Sequence, residues 1–266
     1  MTTRPGEATS LAVAALAAGH RNLGAFGGDG TLHEVVQAIL AGGYDDASVT
    51  YLPAGSSCDF AKNFPGRDPL SIDGREPRLV DVIRVDCHNE DGSPLVRYAA
   101  NYASVGLMAD ATARFNRAQG LTGLARRMSV DAGAIVAVIA ALIALQPVAC
   151  TLAVDDAPPY AESLLNLTLF KTPWVGGGMH FNAPIMPDDG IMMTAALRPK
   201  SKRALFGIIP ALYRGTVLAR PDVWSRACRS LTLTTALPVV VEADGELIGR
   251  SPVSFRLLRK ALRVMV

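Results

Sequence analysis

Residues 27–31 read Gly-Gly-Asp-Gly-Thr, between a short apolar run at 23–26 and a segment where Leu32, Val35, Val36, Ile39 and Leu40 recur at i, i+3, i+4, i+7 and i+8. That spacing marks one apolar face of a helix, closed by Gly42 and Gly43. A strand, a glycine loop and a helix in immediate succession leave few folds open. Glycines let the backbone take positive φ and let a ligand approach without a Cβ in the way. The N–H groups freed there, with a helix N-terminus behind them, form a nest for phosphate oxygens. A carboxylate among phosphates is repelled unless a cation bridges it, so Asp29 is expected to hold Mg2+, directly or through water. The purely structural reading of the same residues is a tight turn with Asp29 as helix N-cap. The loop carries neither the Gly-Lys-Ser/Thr of a Walker motif nor the GxGxxG of a dinucleotide fold.

The same grammar extends around the loop. Residues 7–18 carry an Ala/Leu-rich helix pattern stopped by Gly19, and residues 49–52 are a second short strand ended by Pro53, with a short helix expected around 59–63. The texture changes near residue 80. A strand around Val80–Val85 positions, a hairpin turn at Asp91-Gly92 and a strand over 95–104 open a region that reads mostly as β. Further strands are expected at 151–154, 164–170, 191–197, 231–235, 239–242, 253–258 and 262–266, with helices around 118–145 and 202–218. The division expected is an α/β domain over 1–80 and a β domain over 81–266, with a return of its last strands to the first domain left open.

Composition narrows the partners. The 266 residues are half apolar and carry a net charge of only +2, so no strong field favours nucleic acid. The four cysteines, at 58, 87, 150 and 228, form no CxxC pair and read as reduced thiols of a cytoplasmic protein. The first ten residues have no basic start followed by an apolar run, so no secretory signal is expected. Residues 132–145 are wholly apolar but fall short of the ~20 residues a bilayer span needs, and read as a buried or half-buried helix.

Four segments resemble, in order, the diacylglycerol kinase family of bacterial lipid kinases, which is related to the sphingosine kinases. They are GGDGTLHEVV (27–36), LPAGSSCDFAKNF (52–64), GGGMHFNAPIMPDDGIM (176–192) and EADGELIG (242–249), with Asn101-Tyr-Ala-Ser-Val-Gly106 fitting a further family strand. The resemblance covers essentially the whole chain. NAD kinases share the first segment and not the later three. The family implies an α/β nucleotide-binding domain of the NAD kinase/diacylglycerol kinase kind, with a parallel sheet, followed by a β-sandwich domain and an active site in the cleft between them. It normally opens with one more strand and helix than this chain contains, so the sheet is expected to lack its first strand.

The resemblance also implies roles. ATP, the phosphate donor, would be bound by Gly27, Gly28, Asp29, Gly30, Thr31, Leu32 and His33, by Ser56 and by Thr2. Glu246 falls on the family's catalytic base, with Asp244 assisting the metal or orienting Glu246. A second, structural Mg2+ would fall on Asp189, completed by the carbonyls of Met186 and Ile191. The acceptor would be a lipid hydroxyl, with diacylglycerol as the family favourite. Peripheral contact with the inner membrane face would run through basic clusters at Arg256, Arg259, Lys260 and Arg263 and at Lys200, Lys202 and Arg203, and a homodimer is compatible with the family. This sequence departs from the family at Ser56, where Thr is usual, and at Cys58, where Asn is usual. Two other readings stay open: a chain that binds nucleotide or lipid without transfer, and an NAD kinase.

Overall fold

The computed structural model describes residues 4, 6–65, 74–117, 130–198 and 205–265. The first element, α1 (Glu7–Ala17), starts at Gly6, whose φ is +80°. Its first N–H groups lack helical acceptors. The Glu34 carboxylate supplies them, accepting from Gly6 N–H (2.9 Å), Ala8 N–H (2.8 Å) and Thr9 N–H (3.1 Å). A negative charge there also suits the helix dipole. Glu34 belongs to α2 (Asp29–Ala41), so the two helices are tied end to face.

Strand β1 (Asn22–Gly27) pairs in parallel with β2 (Ser48–Pro53). The other neighbour of β2 is the far end of the last strand, β15 (Glu246–Met265), again in parallel, with Arg263 opposite Ser48 and Met265 opposite Thr50. The parallel part of the sheet is thus this short region; the remaining pairings in the same sheet are antiparallel. Leu16 from α1 and Leu32, Val36 and Ile39 from α2 pack on Val49, Tyr51, Leu262 and Val264 in one buried cluster. Each such aliphatic side chain contributes about 1.5–3 kcal/mol on burial.

Strand β3 (Pro77–His88) pairs antiparallel with β15 and with β4 (Pro94–Ala99), joined by a turn in which Asp91 accepts from Ser93 N–H at 2.9 Å. The expected strand over 95–104 is two: the chain breaks at Ala100-Asn101 and resumes as β5 (Tyr102–Gly106). Beyond it come α3 (Leu107–Arg117), α4 (Val130–Ala144), β6 (Val148–Val154), β7 (Tyr160–Leu164), β8 (Asn166–Phe170), the small hairpin β9 (Trp174–Val175) and β10 (Met179–His180), β11 (Met192–Leu197), α5 (Ile208–Tyr213), β12 (Val223–Cys228), β13 (Ser230–Thr235) and β14 (Val240–Ala243). Their order across the sheet is β12-β11-β8-β5-β14-β15-β13-β6-β7. The curled sheet encloses a core of Ile83, Val85, Leu152, Leu167, Leu169, Leu233, Val253 and Phe255.

Several expectations shift. The strands expected at 253–258 and 262–266 are halves of β15, which bulges between Leu258 and Leu262, where Lys260 has φ +51°. Strands β7 and β12 and helix α3 were not expected. In β12 the side chains alternate little in burial, because it is an outer strand with one described partner. The α4 helix buries Ala137, Ala141 and Leu142 and exposes Ile139 and Ile143, as expected of a half-buried helix. No described helix is long and apolar enough to cross a membrane.

Candidate active site

The glycine loop leads β1 directly into α2. Gly28 is the N-cap, with extended backbone and no capping side chain, and Asp29 is the first helical residue rather than the cap. The N–H groups of Thr31 and Leu32 both bond the Gly28 carbonyl, at 3.0 and 3.2 Å, so their donors are spent inside the helix. Asp29 turns across to the loop after β2. Its Oδ2 accepts from Asp59 N–H (2.9 Å) and its Oδ1 from Phe60 N–H (3.1 Å). The two loops meet backbone on backbone: a Cβ on Gly28 would lie 3.4 Å from Gly55 Cα.

Asp59, which the sequence reading passed over, links this loop to the glycine stretch. It is buried, and its carboxylate accepts from Gly177 N–H (2.9 Å), Gly178 N–H (3.2 Å) and Lys62 Nζ (2.6 Å). Gly176, Gly177 and Gly178 hold φ values of +53°, +93° and +85°, which side-chain-bearing residues rarely adopt.

The third wall is the β14–β15 hairpin. Asp244 and Gly245, at φ +50° and +87°, are its two central residues, the pattern of a type I′ turn. Unlike an ordinary solvated turn residue, Asp244 is 7% exposed. Its Oδ1 accepts from Asn101 N–H (2.9 Å) and Tyr102 N–H (3.0 Å), and its Oδ2 from Ala100 N–H (2.8 Å) and His33 Nδ1 (3.2 Å). A carboxylate has about four acceptor sites. All are used, so Asp244 acts as a clamp that satisfies the broken strand at 100–102. Glu242, also missed in the sequence, is fully buried and accepts from Tyr102 Oη (2.7 Å), Ser104 Oγ (2.6 Å) and Thr112 Oγ1 (3.1 Å).

Glu246 follows the turn and reaches solvent, yet the surrounding walls desolvate its carboxyl enough to raise its pKa; His33 opposes this and Glu34 adds to it. Asp29 is raised as well, first by burial, against its two N–H donors, with Asp59 and Asp244 adding repulsion. Burial raises Glu242 against its three hydroxyl donors.

These walls enclose one cleft of about 430 Å³. Gly28, Asp29, Gly30 and Ser56 line it together with Asp244 and Glu246, on one continuous surface. Gly27 and Thr31 stand behind the loop, Leu32 is in the core, and His33 lies beneath Asp244. Thr2 falls outside the described residues. The opposite wall is apolar, built by Leu107, Met108 and Phe115 of α3 and by Ile208, Ile209 and Leu212 of α5.

Five carboxylates line the cleft and, among its described lining residues, no Lys or Arg does. Triphosphate entering such a wall needs a counter-charge. Asp29 keeps an acceptor site on each oxygen, and Mg2+ is characteristically bound by one or two carboxylates plus substrate phosphates. The donor set therefore fits a magnesium ion at Asp29. No cluster of three or more His, Cys, Asp or Glu able to hold a metal without such help occurs among the described residues. The second expected site does not fit. Lys171 Nζ bonds both the Met186 carbonyl (2.5 Å) and Asp189 Oδ1, two of the atoms expected to ligate the ion.

Comparison with known proteins follows the same outline. Residues 102–266 match the family model of the YegS C-terminal NAD kinase beta sandwich-like domain, and residues 1–85 that of the diacylglycerol kinase catalytic domain. A relative in Alcanivorax borkumensis, named "Probable lipid kinase YegS-like", is 24% identical over 281 residues, covering 99% of this chain and 85% of its own. A protein of the same name in Pseudomonas syringae pv. syringae is 48% identical over 82 residues, 31% of this chain and 26% of its own. A solved structure of a diacylglycerol kinase from Bacillus anthracis str. Sterne superposes with a TM-score of 0.67 at 15% identity, over 99% of this chain and 82% of that one. That last likeness is one of fold.

Proposed function

This chain belongs to the diacylglycerol kinase family of lipid kinases and is a phosphotransferase, and on that footing we propose that it moves the γ-phosphate of ATP onto the hydroxyl of diacylglycerol, giving phosphatidic acid and ADP. One observation carries the reading. A glycine loop at a helix N-terminus, a glutamate that no described group engages by hydrogen bond and an apolar wall all face a single cleft.

Phosphoryl transfer demands positioning and charge stabilisation more than covalent help from the protein. The backbone at Gly28–Gly30 positions and the Ser56 hydroxyl hold the phosphates. Mg2+ held at Asp29, directly or through water, would supply neutralising charge. Glu246, whose carboxylate no described group engages by hydrogen bond, accepts the proton of the lipid hydroxyl as that oxygen bonds to the γ-phosphorus and the bond to the ADP oxygen breaks. The raised pKa of Glu246 makes it a better base than a freely hydrated glutamate. Asp244 keeps the hairpin, and hence Glu246, in place.

The apolar wall suits acyl chains. Ile143, Phe206 and Tyr213 are largely exposed on the helical segments that build it, and would enter the lipid surface from which the acceptor is drawn. The exposed Arg256, Arg259 and Lys260 lie on the half of β15 running away from Glu246, and Lys200, Lys202 and Arg203 fall outside the described residues.

The test is transfer from γ-labelled ATP, with Mg2+, to a panel of diacylglycerol, a sphingoid base, ceramide, undecaprenol and NAD. Label in phosphatidic acid is expected. Label in NADP alone, or no labelled product while ATP still raises the melting temperature, overturns the reading.

A further inference from the structure

Lys171 directly follows β8 with its side chain 0% exposed, and its ammonium lies among three oxygens: the Met186 carbonyl at 2.5 Å, Asp189 Oδ1, and Asp81 Oδ2 at 3.3 Å. Every other acceptor site there is in use or nearly so. Asp189 Oδ1 also accepts from Ile191 N–H (3.2 Å), and its Oδ2 from Met186 N–H (2.8 Å). Asp81 accepts from Gly190 N–H (2.7 Å) and from Lys260 N–H (2.8 Å) at the β15 bulge, while its own N–H donates to the Pro187 carbonyl (2.7 Å). The 186–191 loop is thereby fastened to β3, β8 and β15 at once.

From this geometry we infer that the Lys171 ammonium is the resident cation of the Asp189 loop, and that it replaces a divalent ion there. A Mg2+ or Ca2+ bound to Met186 O and Asp189 needs oxygens at about 2.0–2.6 Å. An ion meeting that demand would share the space of Nζ, and two cations do not share two carboxylates and a carbonyl. The surroundings are already cationic: Arg78 pairs with Asp188 at 3.0 Å, Arg229 Nε donates to Gly190 O at 3.4 Å, and the Arg259 guanidinium lies against Gly190. Lys171 answers the charge of Asp81, which is fully buried and without it would be short of a counter-ion, and of Asp189, which reaches solvent at the edge of the same site. The fold of this chain is consequently independent of divalent cations, whichever lipid it phosphorylates.

The test uses the full chain without nucleotide, carrying Asp29→Asn so that the cleft contributes no ion binding through that carboxylate. Its melting temperature is expected to be the same in EDTA as in millimolar Mg2+ or Ca2+. Adding Lys171→Asn should lower the midpoint in EDTA by about 10 °C, and Ca2+ or Mg2+ should recover much of that loss. Anomalous diffraction from Mn2+-soaked crystals should give no peak at the loop when Lys171 is present. A Mn2+ peak between Met186 O and Asp189 in the chain with Lys171 overturns the inference. So does a chelator-sensitive midpoint in that chain that Asp189→Asn makes insensitive. Both outcomes can be read even if the Lys171 variant does not fold.

Discussion

Gly30 and Glu246 face each other across the cleft so closely that a Cβ on Gly30 would stand 3.6 Å from Glu246 Oε1. One residue lies in the first turn of α2 and the other leaves a hairpin turn more than two hundred residues later in the chain, yet they share a surface. A γ-phosphate held at the helix N-terminus would lie beside the carboxylate proposed to take the acceptor proton.

Acid should stabilise the nucleotide-free protein. Asp29, Glu242 and Glu246 all have pKa values raised by burial. Between the unfolded and the raised folded values the native chain binds more protons than the unfolded one, so stability falls as pH rises. The contribution is complete below the unfolded values, about 4, and is lost as pH climbs through the folded ones. Asp91, with a lowered pKa, acts only at lower pH. Melting in EDTA should show a higher midpoint at about pH 5 than at about pH 8. A midpoint that climbs steadily over that interval contradicts the assignment. In the same sense, kcat/KM should fall on the acid side with an apparent pKa above the usual glutamate value of about 4.3.

Asp244→Asn should cost stability out of proportion to its size. The amide nitrogen that replaces Oδ2 would face the Ala100 N–H, a donor against a donor. An unsatisfied buried donor costs about 1–3 kcal/mol, which lowers the melting temperature by about 5 °C in a domain of this size. Calorimetry that finds the midpoint unchanged removes the clamp role.

Gly55→Ala should weaken ATP binding. A methyl there would run into Gly28 Cα and come within 3.0 Å of Gly28 N. Backbone cannot give way as a side chain does, and overpacking of this kind costs about 1–3 kcal/mol. Titration calorimetry with a non-hydrolysable ATP analogue should show affinity reduced about tenfold or more. Unchanged affinity would mean that the contact of the two loops does not matter to the nucleotide.

Cys58→Asn should stabilise the fold. Cys58 holds φ +48°, a conformation that costs most side chains about 1–2 kcal/mol and that Asn tolerates. The Asn carbonyl can also accept from Gly55 N–H, which now meets Cys58 Sγ at 3.2 Å. The expected gain is about 2–4 °C in melting temperature. A loss of that size would show that the loop needs the thiol.

The strand, glycine loop and helix were legible in the sequence because each signal is local: apolar spacing, glycine, a stop. The carboxylates at 244 and 246 could be picked out by resemblance, but not the task of Asp244, because its partners at 33 and 100–102 arrive only through the pairing of β14 with β5. Lys171 was invisible for the same reason. A single lysine after an apolar strand has no periodicity, and Asp81, Met186 and Asp189 meet it only when β3, β8 and β15 are assembled. Asp59 and Glu242 stood inside segments already singled out, where a carboxylate beside a glycine loop was the available signal. Strand β15 reads as two in the sequence because Arg259-Lys260 interrupts its apolar pattern, and in the fold that interruption is a bulge.

Proton removal from a lipid hydroxyl by Glu246 is tested most sharply by single-turnover transfer from γ-labelled ATP to diacylglycerol in mixed micelles, with the native chain beside Glu246→Gln. Labelled phosphatidic acid is expected from the native chain, with a rate about 10²–10⁴-fold lower from the variant and similar ATP affinity in both. Equal rates in the two proteins would contradict that role for Glu246.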